Sequence, residues 1–372
     1  MSIDAIFVLN AGSSSLKFRL FGMEDDLPLL SSGRITGIGS DAKFIVNGKT
    51  IEAFPQSLNQ DQALTVIVDW LKQQSEHGNI IVMGHRIVHG GETFTEPVRL
   101  NEDILKKLGT LIPLAPLHQP YALSAVKTLQ SLYPNTVQIG CFDTAFHAGH
   151  AQVFSQYALP KKFREAGVRR YGFHGLSYEW IAQVLAKEHS QLAQGRIVAA
   201  HLGNGASLCA MQMGKSVDTT MGMTALDGLP MGTRCGSIDP GAVLYMLREL
   251  GLKPDEVDHI LSYDSGLKGL SGVSSDMQEL VESDSEEARF AINYFTMMTA
   301  QHVARMAVAL GGIDTLVFTG GIGEHSEKIR NDIVHHIHFL QPFIILVVEA
   351  DEERMIAAHC LRLLKEDKVT ST

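Results

Sequence analysis

The sequence predicts an α/β fold built as two related halves, on three observations. Apolar, strand-like runs alternate with stretches of helical spacing along the 372 residues. A strand–turn–strand unit with Asn, Ser and Gly in its turn appears near the N-terminus and again at 197–213, which suggests an internal duplication. The length suits two domains, each able to bury its own core. They are expected at 1–150 joined by 351–372, and at 151–350.

The first unit runs Ile6 to Leu9, then Asn10-Ala11-Gly12-Ser13-Ser14-Ser15, then alternation through Leu16, Phe18 and Leu20 with Lys17 and Arg19 between. This reads as a hairpin. Small residues in the turn let backbone approach a ligand, and N–H groups with hydroxyls suit phosphate oxygens or a hydrated metal. An ordinary polar turn has the same composition. Glycine turns and short strands follow from Leu29 to Glu52, and Gln62 to Gln73 has helical spacing. Asn79 to Val88 reads as a buried strand entering Gly84-His85-Arg86-Ile87-Val88-His89-Gly90-Gly91-Glu92. A helix is expected over 101–111, a proline-braced loop around Leu117 and His118, and a helix over 121–132. A strand at 137–142 ends at Asp143-Thr144-Ala145-Phe146-His147.

In the second half, a basic stretch at 161–170 leads to Tyr171-Gly172-Phe173-His174-Gly175 and a helix over 177–187. The second hairpin carries His201-Leu202-Gly203-Asn204-Gly205. Residues 222–240 are glycine-rich and irregular. Helices are expected at 242–250 and 286–310, and a strand at 315–319 that runs into a glycine turn, Gly320-Gly321-Ile322-Gly323. A strand at 343–348, an acidic turn containing Glu349, Asp351, Glu352 and Glu353, and a closing helix complete the chain.

Composition narrows the function classes. A formal net charge of −10 argues against nucleic acid or an anionic membrane as the main partner. No apolar run approaches the roughly 18 residues that span a bilayer. The chain enters a strand at once, so no signal peptide is expected. Cys141, Cys209, Cys235 and Cys360 are scattered and read as reduced thiols of a cytoplasmic protein.

Strand ends are where α/β folds place ligands. Here they carry Arg86, Asp143, His174 and Arg234, with His118 in the proline-braced loop. Each alone is an ordinary surface or core polar residue; the set suggests a site. Two guanidinium forks match a carboxylate and a phosphoryl group. Gly214-Lys215-Ser216 ends like a phosphate-binding loop, but Cys209 stands where its first glycine belongs. His335, His336 and His338 read as a polar helix edge or loop.

Nine strings in order resemble the acetate kinase family: 10–17, 84–91, 113–118, 142–147, 171–175, 201–205, 231–236, 271–277 and 318–324. The resemblance implies a duplicated, actin-like (ribonuclease H-like) two-domain fold with an active-site cleft between the domains. It also implies reversible phosphoryl transfer from ATP to acetate with Mg²⁺, or Mn²⁺ in its place, in a homodimer. By resemblance, Asn10 and Glu352 lie near the metal, and Ser13, Ser15 and Lys17 near the phosphates. Arg86 and Arg234 hold the acetate carboxylate and the phosphoryl group, with Asp143, His174 and His118 at the reacting centre. His201, Gly203, Asn204 and Gly205, with Asp276, Met277 and Gly320 to Gly323, bind the nucleotide. Val88, Leu117 and Phe173 surround the methyl group.

The chain departs from the family pattern in places. Leu176-Ser177-Tyr178 replaces a usual Thr-Ser-His, Ala225 a proline, Gln278 an arginine and His325 an asparagine. The stretch between Ile329 and Phe343 is shorter than usual. A propionate kinase, and a nucleotide-binding switch on the same fold, are the alternatives. Removing either arginine is expected to cost turnover orders of magnitude with the fold intact.

Overall fold

The structure is a computed structural model, and it describes residues 4–12, 14–54, 57–73, 79–116 and 118–370. The chain divides into two compact units, Met1–Ala145 with Asp351–Thr372, and Phe146–Ala350.

The first unit opens with β1 (Asp4–Ala11), β2 (Ser15–Gly22), β3 (Leu29–Thr36), β4 (Lys43–Val46) and β5 (Lys49–Ala53). Next come α1 (Gln60–Gln73), β6 (Asn79–Ile87), β7 (Val98–Arg99), α2 (Glu102–Gly109), α3 (Gln119–Leu132) and β8 (Val137–Phe142). They form one sheet in the order β5-β4-β3-β2-β1-β6-β8-β7. β1 is antiparallel to β2 and parallel to β6, and β6 is parallel to β8. Every residue from Ala5 to Leu9 is buried, as a central strand covered on both faces requires. Phe7, Phe18, Phe44 and Trp70 of α1 interlock on one face, Phe18 lying 5.5 Å from Trp70.

The second unit contains α4 (Gln152–Ser155), α5 (Lys161–Glu165), α6 (Gly175–Glu188), β9 (Arg196–Leu202), β10 (Ala206–Gln212) and β11 (Lys215–Thr219). It continues through α7 (Pro240–Arg248), α8 (Pro254–Tyr263), α9 (Gly266–Ser271), α10 (Met277–Glu282) and α11 (Glu286–Leu310). It ends with β12 (Thr315–Thr319), α12 (Gly320–His325), α13 (Glu327–His336) and β13 (Ile344–Val347). Its sheet runs β11-β10-β9-β12-β13, again with an antiparallel hairpin beside parallel strands. Set against β3-β2-β1-β6-β8, the strand order and directions match one for one. This is the duplicated actin-like α/β fold. The longest helix, α11, starts where the Ser285 side chain accepts from the Ala288 amide and stops at left-handed Gly311.

Two sequence expectations need correction. Gly320 to Gly323 is not a turn but the opening of α12. Gly320 sits at φ 77°, where a Cβ would meet the Leu202 carbonyl, and the helix follows directly. The acidic turn is likewise shorter than expected, because Glu352 and Glu353 form the first turn of α14 (Glu352–Thr370). Acidic residues there oppose the positive helix end. The buried side of α14 carries Met355, Ile356 and Cys360. It packs on β6 at Gly84, where an added methyl would lie 2.5 Å from Ile356. Arg19 of β2 fixes the start of α14 through Asp351 at 2.6 Å. None of the four cysteines is in a disulfide; Cys141, Cys209 and Cys360 are buried and Cys235 partly so.

Candidate active site

In the first unit, adjacent parallel strands set the geometry. β6 and β8 pair with Ile87 opposite Phe142, and Asp143 N–H donates to the Ile87 carbonyl. Arg86 and Asp143 therefore leave the sheet side by side. Arg86 Nε and Nη2 donate to the two Asp143 oxygens at 2.9 and 2.7 Å. Asp143 is 2 % exposed and Arg86 20 %. Burial works against the Arg86 charge, but Asp143, then Glu352 and Glu353, outweigh it and raise its pKa above the usual value. Asp143 thus fixes the plane of the guanidinium. Arg86 Nη1 carries no hydrogen bond to a described residue.

Asn10 lies near the end of β1, opposite Lys17 of β2. Its side-chain amide donates to Glu353 Oε1 at 3.4 Å, which leaves its carbonyl oxygen for another partner. Glu353 is the residue the sequence reading missed: it is buried beside Asn10 and 3.8 Å from Arg19, next to the expected Glu352. Ser15 is half-buried and Lys17 exposed. Val88 is partly buried just past β6, and His118 immediately precedes α3 without a side-chain capping bond. Ser13 and Leu117 lie outside the described residues.

Among the described residues there is no group of three His, Cys, Asp or Glu side chains that could hold a metal alone. A magnesium site does not need one, because that ion keeps several waters and takes one or two carboxylates with substrate phosphates. The oxygen donors of Asn10, Glu352 and Glu353 fit that requirement.

In the second unit the groups cluster at the ends of β9, β10 and α6. His174 precedes α6 in the left-handed region, φ 58° and ψ 23°. Few side chains adopt that conformation without support from their surroundings. The support is visible: His147 Nε2 bonds the Phe173 carbonyl at 3.0 Å, while its Nδ1 bonds Ser216 Oγ at 2.8 Å. His150 Nε2 reaches the same hydroxyl at 2.6 Å. A carbonyl only accepts, so His147 donates from Nε2 and accepts at Nδ1 from Ser216, and His150 donates to Ser216. Burial, then His147 and two arginines, Arg170 and Arg169, push the His150 pKa down to about 3. The Lys-Ser string at 215–216 is thus part of β11, with Ser216 turned into this network.

The His174 ring stacks on His201 at 4.4 Å. His174 Nδ1 bonds Ser207 Oγ at 2.9 Å. Its Nε2 faces Gly205, where a Cβ would come within 3.3 Å of that nitrogen and 3.9 Å of Arg234 Nη1. The imidazole and one arginine therefore look onto the same bare stretch of backbone. Arg234 Nη1 also bonds the Ala225 carbonyl at 3.2 Å, which ties the irregular segment before α7 to the guanidinium. The β9–β10 turn is closed by Gly203 N–H to the Gly205 carbonyl. Asn204 is exposed at its tip and packs against Gly232, where a Cβ would lie 2.1 Å from its Oδ1. Asp276 caps α10 through the Gln278 amide at 2.7 Å, and Met277 is buried. Gly321 and Ile322 remain accessible in the first turn of α12. Phe173 is buried beside His174.

The comparisons with known proteins fall on one family. The family model described as "Acetokinase family" matches residues 5–362. An acetate kinase of Nitrobacter hamburgensis is 42 % identical over 398 aligned residues, covering 99 % of this chain and 98 % of that protein. The crystal structure of a propionate kinase from Francisella tularensis has a TM-score of 0.90 at 34 % identity, covering 96 % of this chain and 98 % of the other. That of Porphyromonas gingivalis acetate kinase has a TM-score of 0.87 at 32 % identity, covering 97 % and 100 %. The aligned spans run nearly end to end in both directions. The chain therefore belongs to the acetokinase family and is a kinase whose phosphoryl acceptor is a carboxylate.

Proposed function

We propose that the chain transfers the γ-phosphoryl group of Mg²⁺-ATP to acetate by direct in-line attack of the carboxylate, giving acetyl phosphate and ADP reversibly. The observation that carries this reading is the Arg86–Asp143 pair with Glu352 and Glu353 nearby. It is an anion site and a cation site built together. A carboxylate is ionised at neutral pH, so no strong base is needed; positioning and charge neutralisation do the catalysis.

Arg86, held flat by Asp143, offers its remaining N–H groups to the acceptor carboxylate. Val88, Phe173 and Leu117 are the residues that the family resemblance assigns to the methyl group. Arg234 and His174 Nε2 donate to the phosphoryl oxygens as charge builds on them, and His118 assists. The Gly203–Asn204–Gly205 turn and His201 contact the nucleotide phosphates, as do Ser13, Ser15 and Lys17. Asp276, Met277 and the first turn of α12 lie along the adenosine. Asn10 and Glu352, with Glu353 beside them, would hold the magnesium ion, which when bound would neutralise phosphate charge. A cytoplasmic homodimer is part of the same reading; among the described residues no helix is long and apolar enough to cross a membrane.

A propionate preference is the second reading. Ala225 supports it, since a small residue there leaves more room, and so does the likeness to a propionate kinase. One methylene is worth only about 1–3 kcal/mol, so overlap between the two acids is expected. The test is ADP formation with Mg-ATP and acetate, propionate or butyrate, with hydroxylamine trapping the acyl phosphate. Turnover highest with acetate and falling with chain length is expected. A propionate optimum would reassign the substrate, and turnover independent of any acid would overturn the kinase reading.

A further inference from the structure

Position 178 is where this chain carries tyrosine in place of the histidine usual in the family. The side chain is fully buried in the first turn of α6. Its hydroxyl lies 2.5 Å from Ser207 Oγ, and Ser207, also fully buried, lies 2.9 Å from His174 Nδ1. The three groups form an unbroken chain that ends on the ring facing Gly205 and Arg234.

The direction of the protons follows from the partners. Burial raises the Tyr178 pKa well above its ordinary value, so the phenol keeps its proton. Ser207 Oγ is the one side-chain acceptor of the Tyr178 proton among the described residues. Ser207 then accepts from Tyr178, and its single proton is left for His174 Nδ1.

We propose that Tyr178 is a positioning residue for phosphoryl transfer: acting through Ser207, it holds His174 as the tautomer with its proton on Nε2, so that an N–H and not a lone pair meets the transferring group. Ser207 alone cannot do this. With the phenol donating, the Ser207 proton is directed to Nδ1; with the phenol removed, a water in its place can take that proton and leave Ser207 to accept from Nδ1–H, which allows the other tautomer and turns the Nε2 lone pair toward an anion. The inference rests on the reading of His174 as a group that touches the phosphoryl oxygens.

The experiment compares Tyr178→Phe, Ser207→Ala, the double variant and His174→Asn in steady-state kinetics, with ¹⁵N NMR of the His174 ring. The His174→Asn variant keeps a residue that tolerates the left-handed backbone and assigns the ring signals. In the unsubstituted protein Nδ1 is expected unprotonated and Nε2 protonated. In Tyr178→Phe the signals should shift toward a mixture, with kcat down about 10- to 100-fold and KM for acetate and ATP within about 2-fold. The double variant should be no worse than Ser207→Ala alone, because the two residues act in series. A merely structural tyrosine would lower the melting temperature and leave the ring signals as they were. A protonated Nδ1 in the unsubstituted protein overturns the inference even if no variant folds. Unchanged kcat and ring signals in Tyr178→Phe, with His174→Asn inactive, overturn the inference alone; an active His174→Asn removes the reading beneath it.

Discussion

The two sheets share a strand order yet carry opposite kinds of site. Past β6 and β8 in the first unit, the groups are charged and paired: Arg86 with Asp143, and Glu352 and Glu353 close enough to act on the same guanidinium. Past β9 and β10 in the second, they are hydroxyl, phenol and imidazole groups in hydrogen-bonded chains, with bare backbone at Gly203 and Gly205 and one arginine looking on. A duplicated scaffold fixes where a site is, not what it is made of. The charged half suits a small carboxylate and a cation, whose recognition is mostly electrostatic. The hydrogen-bonded half, with its bare glycine backbone, suits a nucleotide, whose phosphates take backbone N–H groups and whose flat base takes glycine.

The comparison breaks most clearly at the two arginines. The sequence alone suggested that either could be removed with the fold intact. Arg86→Ala would strand Asp143, which is 2 % exposed, without its cation. Losing one partner of a buried pair costs about 3–5 kcal/mol. Arg86→Ala should therefore lose both turnover, by about 10³-fold or more, and stability. Arg234→Ala should lose turnover on a similar scale with a melting temperature near that of the unsubstituted protein. Paired kinetics and thermal melts check this; equal destabilisation by both would erase the difference between the halves.

A smaller effect is expected at Gly232. A methyl group there points at Asn204 Oδ1, the end of an exposed side chain that can move aside. Gly232→Ala should raise KM for ATP about 10-fold, leaving KM for acetate and the melting temperature little changed. A larger change in KM for acetate would mean that the β9–β10 turn does not serve the nucleotide.

The smallest effect concerns acid stability. His150 is neutral in the fold, its pKa pushed from 6.5 to about 3, and His85 is neutral too, pushed to about 4 by burial against the hydrogen bond its Nε2 donates to Gln138 Oε1. A histidine whose pKa is lower folded than unfolded takes up its proton more readily when unfolded. Its contribution is complete above pH 6.5 and is lost as pH falls toward the folded value. His150→Gln should thus lose less stability between pH 7.5 and pH 5.5 than the unsubstituted protein, read from urea midpoints. An identical loss would place the acid sensitivity elsewhere.

Much of this was legible in the chain. The two hairpins could be read because an apolar run meeting Asn and Ser leaves no other local solution, and α11 because Ser285 and Gly311 are strong end signals. Glycine misled at 320–323, since the same residues that make turns also open a helix when the first adopts positive φ. Glu352 was expected only from the family resemblance, while the contact of Glu353 with Asn10 emerged only once α14 had turned it there. The Tyr178–Ser207–His174 and His147–Ser216–His150 chains were invisible because they join residues tens of positions apart through strand register. No spacing rule encodes such a meeting.

The cysteines have a chemical consequence. The reactive form of a cysteine is its thiolate. Burial pushes the Cys209 and Cys360 thiols far up, and Cys235, only partly covered, is raised as well. At neutral pH these sulfurs stay protonated, and those of Cys209 and Cys360 are also buried, which makes them poor targets for peroxide or alkylating reagents. The molecule therefore carries a thiol one residue from Arg234 whose partial burial holds it toward the protonated, less nucleophilic form.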